Sequence, residues 1–376
     1  METFYLILLI PVVVALIARW KFNHSINWLE AAAQIVIVGI VVSIVFFAGR
    51  YSQMYDTEIW NGEVTSKHRD QDYWLESYEC NCITTCSGSG SNESCTTTCS
   101  TCYRDHYTVD WYLTSNIESK IQLKYLDWES KKVYKEPDPK SYKDAYVGEP
   151  CALEHGYTNY IKAVPESLFN PEDSNKIEQF ADLIPSYPEV YGEYHVDRVL
   201  TMGMGGHLQL KKWNDYLGDK VKKLGPKKQV NVILVIVNTD NQMYRYALER
   251  AWLGGKKNDV IVILGVADYP KISWADTITL GQNAGNSLMT VTMRDDLMKI
   301  GTIEDYVPII DTIGRVVDQK FDRKPMADYE YLKDSIEPPT WVVILAFVLS
   351  FVLSGILTWV FHVYDPFDID YRRNYY

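Results

Sequence analysis

Residues 80 to 102 read CNCITTCSGSGSNESCTTTCSTC, which places Cys80, Cys82, Cys86, Cys95, Cys99 and Cys102 among Ser, Thr and Gly. Such a cluster forms disulfides in an oxidising compartment and binds metal, or stays reduced, in a reducing one. The zinc alternative has some geometry in its favour. Cys99 and Cys102 have ligand spacing, Cys80 and Cys82 would supply two more thiolates, and His106 follows closely. Against it, one residue separates Cys80 from Cys82 where zinc pairs usually have two to four. If the cluster is bridged, Cys80 and Cys82 stand too close along the chain to pair with each other. Cys151 is then left over or displaces one of the six.

A second group of candidate residues follows two apolar runs. VNVILVIV ends at Asn238, Thr239 and Asp240, and DVIVILGVA ends at Asp268 and Tyr269. If those runs are neighbouring strands, Asn238, Asp240 and Asp268 converge as a hard-oxygen site suited to Ca²⁺ or Mg²⁺. The same residue types also serve turns and helix N-caps, which is the plainer reading. Gly203-Met204-Gly205-Gly206 stands where a phosphate-cradling loop would stand. Leu208 occupies the sixth position, however, and no Gly-Lys-Ser/Thr follows, so it reads as a turn. The seven histidines form no His-x-x-x-His pair, and there is no Gly-x-Ser-x-Gly. No catalytic residue is assigned.

The elements that position these residues include three apolar segments, at 3–18, 31–49 and 340–364, each long enough to cross a bilayer. Trp341, Trp359 and Tyr364 mark the ends of the third like an aromatic belt. Glu2 stands where a signal peptide has basic residues and no small-x-small cleavage site follows, so the first segment reads as an uncleaved anchor. Pro11 would kink it, which membrane spans tolerate. Arg19, Lys21, Arg372 and Arg373 lie near span ends on one side, and Arg50 and Lys333 on the other. That excess puts the hairpin loop and the tail inside and residues 51–339 outside, where the cysteines favour bridges over zinc. Gln34, Ser43, Ser350, Ser354 and Thr358 make no charged pathway, which argues against a transporter. Ser350, Ser354 and Gly355 are small enough for close helix packing.

The ectodomain divides by pattern. HYTVDWYL and KIQLKYL alternate as half-buried strands, EIWNGEVTSK carries an Asn-Gly turn signal, and together they indicate a Cys-rich β module over 51–150. KKVYKEPDPKSYKDAYVGEP reads as a linker within it, and 151–189 as a connecting segment. From 190 to 339 strands and helices alternate. HLQLKKWNDYLGDKVKKLG is an amphipathic helix stopped at Gly225-Pro226. The two apolar runs are strands buried on both faces, with QMYRYALERAWL crossing between them in a right-handed βαβ unit. The fold class expected is therefore α+β, membrane-anchored. With 47% hydrophobic residues the chain can bury a core, and its net charge of −12 excludes the phosphate neutralisation on which nucleic-acid binding depends.

Two resemblances attach to these residues. KKQVNVILVIVNT, ALERAWLGGKKNDVIVILG and the amphipathic helix near 306–320 make residues 206–322 resemble the TPM-domain family. These are compact α/β domains, often extracytoplasmic and membrane-tethered; some have phosphatase activity attributed to them, and others act as partners or assembly factors of membrane complexes. WNGEVTSKHRD, YECNC, YTNYIKAVPESLF, RKPMADYEYL and EPPTW make nearly the whole chain resemble membrane proteins encoded by tailed bacteriophages. The resemblances imply a host inner-membrane protein whose extracytoplasmic part binds a membrane or envelope partner. The alternative they leave open is a metal-dependent phosphohydrolase using Asp240 and Asp268.

Overall fold

The computed structural model describes residues 2–22, 26–87, 94–164, 178–280, 284–364 and 366–367. The chain folds into two compact units, one of Met1–Thr57, Gly156–Pro171 and Pro325–Tyr376, the other of Glu58–His155 and Glu172–Lys324. The tail arginines, Arg372 and Arg373, lie outside the described residues, as does the tip of the cysteine loop at 88–93.

In the first unit, α1 (Glu2–Lys21), α2 (Trp28–Met54) and α8 (Thr340–Tyr364) are each long and apolar enough to cross a membrane. Phe4, Ile7, Val38, Val42, Phe46 and Ala346 are buried where the three meet. Large apolar residues such as Leu6, Ile44 and Val348 face outward instead. That is the inverse of a water-facing bundle, and lipid is the solvent such a surface suits. Pro11 stays inside α1 without ending it. Asn27 starts α2 with a capping box: its side chain accepts from Glu30 N–H, and the Glu30 carboxylate accepts from Asn27 N–H at 2.9 Å. Several polar side chains within the helices bond to backbone or to one another, while the buried Ser354 hydroxyl has no partner among the described residues. Gln34 Nε2 donates to Ser354 O at 3.2 Å, Thr358 Oγ1 to Gln34 Oε1 at 3.2 Å, and Ser350 Oγ to Ile7 O at 3.3 Å. Ser350 and Ser354 thus face this bundle, whereas Gly355 has no neighbour within 4 Å of where a side chain would begin.

The second unit contains two four-stranded sheets. The first has order β3-β2-β1-β4, from β1 (Tyr55–Ser87), β2 (Ser94–Ser115), β3 (Ile121–Trp128) and β4 (Pro150–Thr158). Its fourth strand comes largely from the stretch that pattern alone assigned to a connecting segment. Asn61-Gly62 makes no turn, because β1 runs straight through it. A Cβ at 62 would stand 2.1 Å from Asn116 Oδ1 and 3.0 Å from Ile117, so a larger residue there requires Asn116 to move. The Lys-Pro-rich stretch packs as a 3₁₀ turn at Lys131–Lys135 and a short α3 (Lys140–Asp144), and its Asp138 accepts from the fully buried Trp111 Nε1 at 2.8 Å.

The second sheet has order β5-β6-β7-β8, from β5 (Val199–Met202), β6 (Asn231–Val237), β7 (Asp259–Gly265) and β8 (Trp274–Thr279). β5, β6 and β7 are parallel; β8 is antiparallel and was not evident from the sequence pattern. Val232, Leu234 and Ile236 face α4 (Leu210–Lys228), α6 (Ala284–Ile300) and α7 (Tyr306–Lys320), while Ile233, Val235 and Val237 face α5 (Tyr244–Ala251). Both faces are covered, so the run is apolar throughout, and Val235 and Ile263 are fully buried as expected. Since β5, β6 and β7 are consecutive neighbours with α4 and α5 on opposite faces, their two crossovers have opposite hands. The right-handed rule therefore holds for only one of them.

α4 does not stop at Gly225-Pro226 but runs on to Lys228, where Gln229 caps it in the left-handed region with φ 51°. Glycine at 225 answers to packing: a Cβ there would lie 2.0 Å from the Asn61 backbone oxygen.

Candidate functional site

β3 follows β2 only as far as the Tyr107–Trp128 pair, so beyond it β1 and β2 have only each other. From Trp74 to Ser87 that two-stranded ribbon spans about 45 Å at roughly 3.3 Å per residue. An isolated two-stranded ribbon is marginal in water. Here three disulfides rung it: Cys80–Cys102, Cys82–Cys99 and Cys86–Cys95, nested one inside the next. A shift in register between Cys80 and Ile83, with Asn81 at φ 47°, brings Cys82 opposite Cys99. Cys151 joins none of them. It is a buried free thiol on β4, and burial pushes its pKa up to about 11, so it packs as a small apolar residue rather than a ligand or bridge. Among the described residues, the one set of three possible metal ligands close enough together is Glu79, Cys82 and Cys99. The bond between its two sulfurs leaves no thiolates for zinc.

Below the rungs the ribbon exposes large side chains on both faces. On one, Trp74 stacks on His106 at 4.1 Å, and His106 lies between Asp127 (2.7 Å) and Glu76 (3.0 Å). Hydrogen bonds to Asp127 and then Glu76 raise the His106 pKa above its ordinary value. Arg104 lies over Tyr78 and pairs with Glu129 at 3.1 Å. On the other face Tyr73 packs on Tyr107 and donates to Asp105 at 2.9 Å, while Leu75 and Tyr103 are 52% and 67% exposed. The stretch DYWLESYE carries no apolar-polar alternation because neither face is buried.

The calcium or magnesium candidates follow strands of the second sheet. Val237 and Gly265 are register partners, so Asp240 and Asp268 stand at equal offsets past the ends of two adjacent parallel strands. Both are exposed. Asn238 is engaged elsewhere: its Nδ2 donates to Gly203 O at 3.1 Å. Thr239 Oγ1 and Asn241 Oδ1 accept from Asn241 N–H and Met243 N–H, the turn-and-start role open to such residues from the outset. The chain leaves β5 and β6 toward opposite faces, and the carboxyl ends of such strands are the usual ligand position in open α/β sheets. Gly203, Gly205 and Gly206, all at positive φ, follow β5, with Gly203 against Asn238, and His207 stacks on Tyr269 at 4.8 Å.

The class defined by these features is an α+β chain with three membrane-length apolar helices and a disulfide-rich ribbon. Set against known proteins, it matches no family model, no curated protein and no solved structure.

Proposed function

We propose that the chain is an integral membrane protein that holds residues 51–339 on the extracytoplasmic side and acts by binding an envelope partner through its disulfide-rich ribbon. One observation carries this reading. The ribbon buries nothing of its own, yet it is cross-linked three times and presents Tyr73, Trp74, Leu75, Tyr78 and Tyr103 to solvent. Exposed aromatics held on a rigid frame are the usual anchors of a protein interface. The resemblance to phage-encoded membrane proteins makes a host envelope protein the partner of choice. In the test, a photo-crosslinking residue replaces Leu75 or Tyr103 in cells making the full chain, with Leu288 as the control position. A discrete adduct from both ribbon positions and none from the control is the expected result. Adducts from the control alone would overturn the reading.

The equal offsets of Asp240 and Asp268 favour one second reading, a metal-assisted phosphohydrolase of the TPM kind. Turnover of a generic phosphoester by the purified chain that needs Mg²⁺ or Ca²⁺, and is lost in both Asp240→Ala and Asp268→Ala, is its requirement. No turnover with either ion ends it.

A further inference from the structure

β5 is an edge strand, and a groove of about 880 Å³ runs along it. Residues 196–202 form the floor of the groove. Leu210, Asn214 and Gly218 of α4 line it, together with Pro150, Pro185 and Tyr191. Parallel strands alternate the direction of their backbone groups residue by residue. Arg198 O and Met202 O both accept from β6, from Leu234 N–H at 2.8 Å and Asn238 N–H at 2.9 Å. The residues between them in that alternation, Val199 and Thr201, therefore point their backbone into the groove. Asn214 Oδ1 takes the Val199 N–H at 2.9 Å. Val199 is 2% exposed, so the accessible edge is the backbone of half-buried Thr201, whose N–H and carbonyl have no such partner among the described residues.

We infer that this groove binds an extended peptide segment as an added strand on β5, with a Lys or Arg side chain of that segment set against Asp197. The occupant follows from three features. The open carbonyl and amide groups are complementary to another extended backbone. The edge lies in a groove lined by α4 and by Pro150, Pro185 and Tyr191, a volume suited to one extended segment. Charge decides the side chain. Among the groove's carboxylates, Glu149 meets His195 at 3.3 Å, Asp215 meets Lys211 at 2.8 Å and Asp219 meets Lys222 at 2.8 Å. Asp197 accepts only the Tyr191 hydroxyl, at 3.2 Å, and no cation bridges it among the described residues. Arg198 is 4% exposed and its guanidinium donates to Asn61 Oδ1, so it feels the Asp197 charge without forming an ion pair with it. This inference stands apart from the ribbon reading.

A display library of random heptapeptides, selected on the full chain in detergent, supplies the probe; the selected peptides are then synthesised and their affinities measured by fluorescence anisotropy. Alternating β-branched sequences that carry Lys or Arg are expected. Thr201→Pro removes one outward N–H and leaves the bonds to β6 intact, as proline at a strand edge can. It should weaken binding at least tenfold at an unchanged melting temperature, and Asp197→Asn should remove most of the salt dependence. If Thr201→Pro does not fold, N-methylation of alternate residues in the selected peptides decides: binding must be lost. Failure to select any peptide, equal binding to Thr201→Pro, indifference to N-methylation, or a wild-type dimer that Thr201→Pro makes monomeric would each overturn the proposal, the last in favour of a second copy.

Discussion

Asn61 Nδ2, on β1, donates to Asn231 Oδ1, on β6, at 3.2 Å, and both residues are buried. The same amide donates to Val230 O at 3.0 Å, and its oxygen accepts from the buried Arg198 guanidinium. Through this one side chain the two sheets of the second unit share a polar core. Each buried group in it depends on the others, because an unmatched buried donor or acceptor costs far more than a formed bond returns.

Asn61→Leu should therefore destabilise the second unit by roughly 3 kcal/mol, by stranding Asn231 Oδ1 and the Arg198 Nη2 group together. Chemical denaturation of the full chain, followed by far-UV circular dichroism, checks it. A variant as stable as the parent would mean that the two sheets do not depend on this contact.

Gly225→Ala separates two explanations of one residue. If Gly225 were there to end α4, alanine would lengthen the helix and stabilise it by about 1 kcal/mol. The Cβ would instead lie 2.0 Å from the Asn61 carbonyl oxygen, and backbone cannot rotate out of the way. A loss of about 2–3 kcal/mol, typical of overpacking, is the expected outcome of thermal denaturation.

That contrast shows what the sequence makes legible. β6 and β7 were evident because a strand covered on both faces must be apolar at every position, and Val232 through Val237 are. The three long helices were evident for a similar reason. Gly225-Pro226 and Asn61-Gly62 misled because glycine was read as a local conformational signal. In both places it answers to a distant neighbour, Asn61 in one and Asn116 in the other, which local sequence does not contain. Asp240 and Asp268 do share the ends of adjacent parallel strands. The ribbon's aromatics stayed hidden for the opposite reason: with both faces in solvent, no period marks them.

Reduction should act on the ribbon and spare the second sheet. The bridges close separations of 22, 17 and 9 residues, each worth about 3 kcal/mol alone in the chain-entropy model and less than additive when nested. Hydrogen exchange of the full chain with and without reductant should show amides of residues 74–87 and 94–106 losing protection while those of β6 and β7 keep it. Unchanged protection of the ribbon after complete reduction would show that the rungs do not hold it.

His106 should make the base of the ribbon pH-dependent. Hydrogen bonds to Asp127 first and Glu76 second raise its folded pKa above the ordinary 6.5. A histidine raised in this way contributes stability that is fully present below its unfolded value and is lost as pH rises through the folded one. Protection of the ribbon amides should thus be greatest on the acidic side of 6.5 and fall across the window above it. An NMR titration of the His106 ring should place its midpoint above 6.5, and Asp127→Asn should bring it down further than Glu76→Gln does. A parent midpoint at or below 6.5 would remove the two carboxylates as the cause, and with them the pH dependence expected of the ribbon's base.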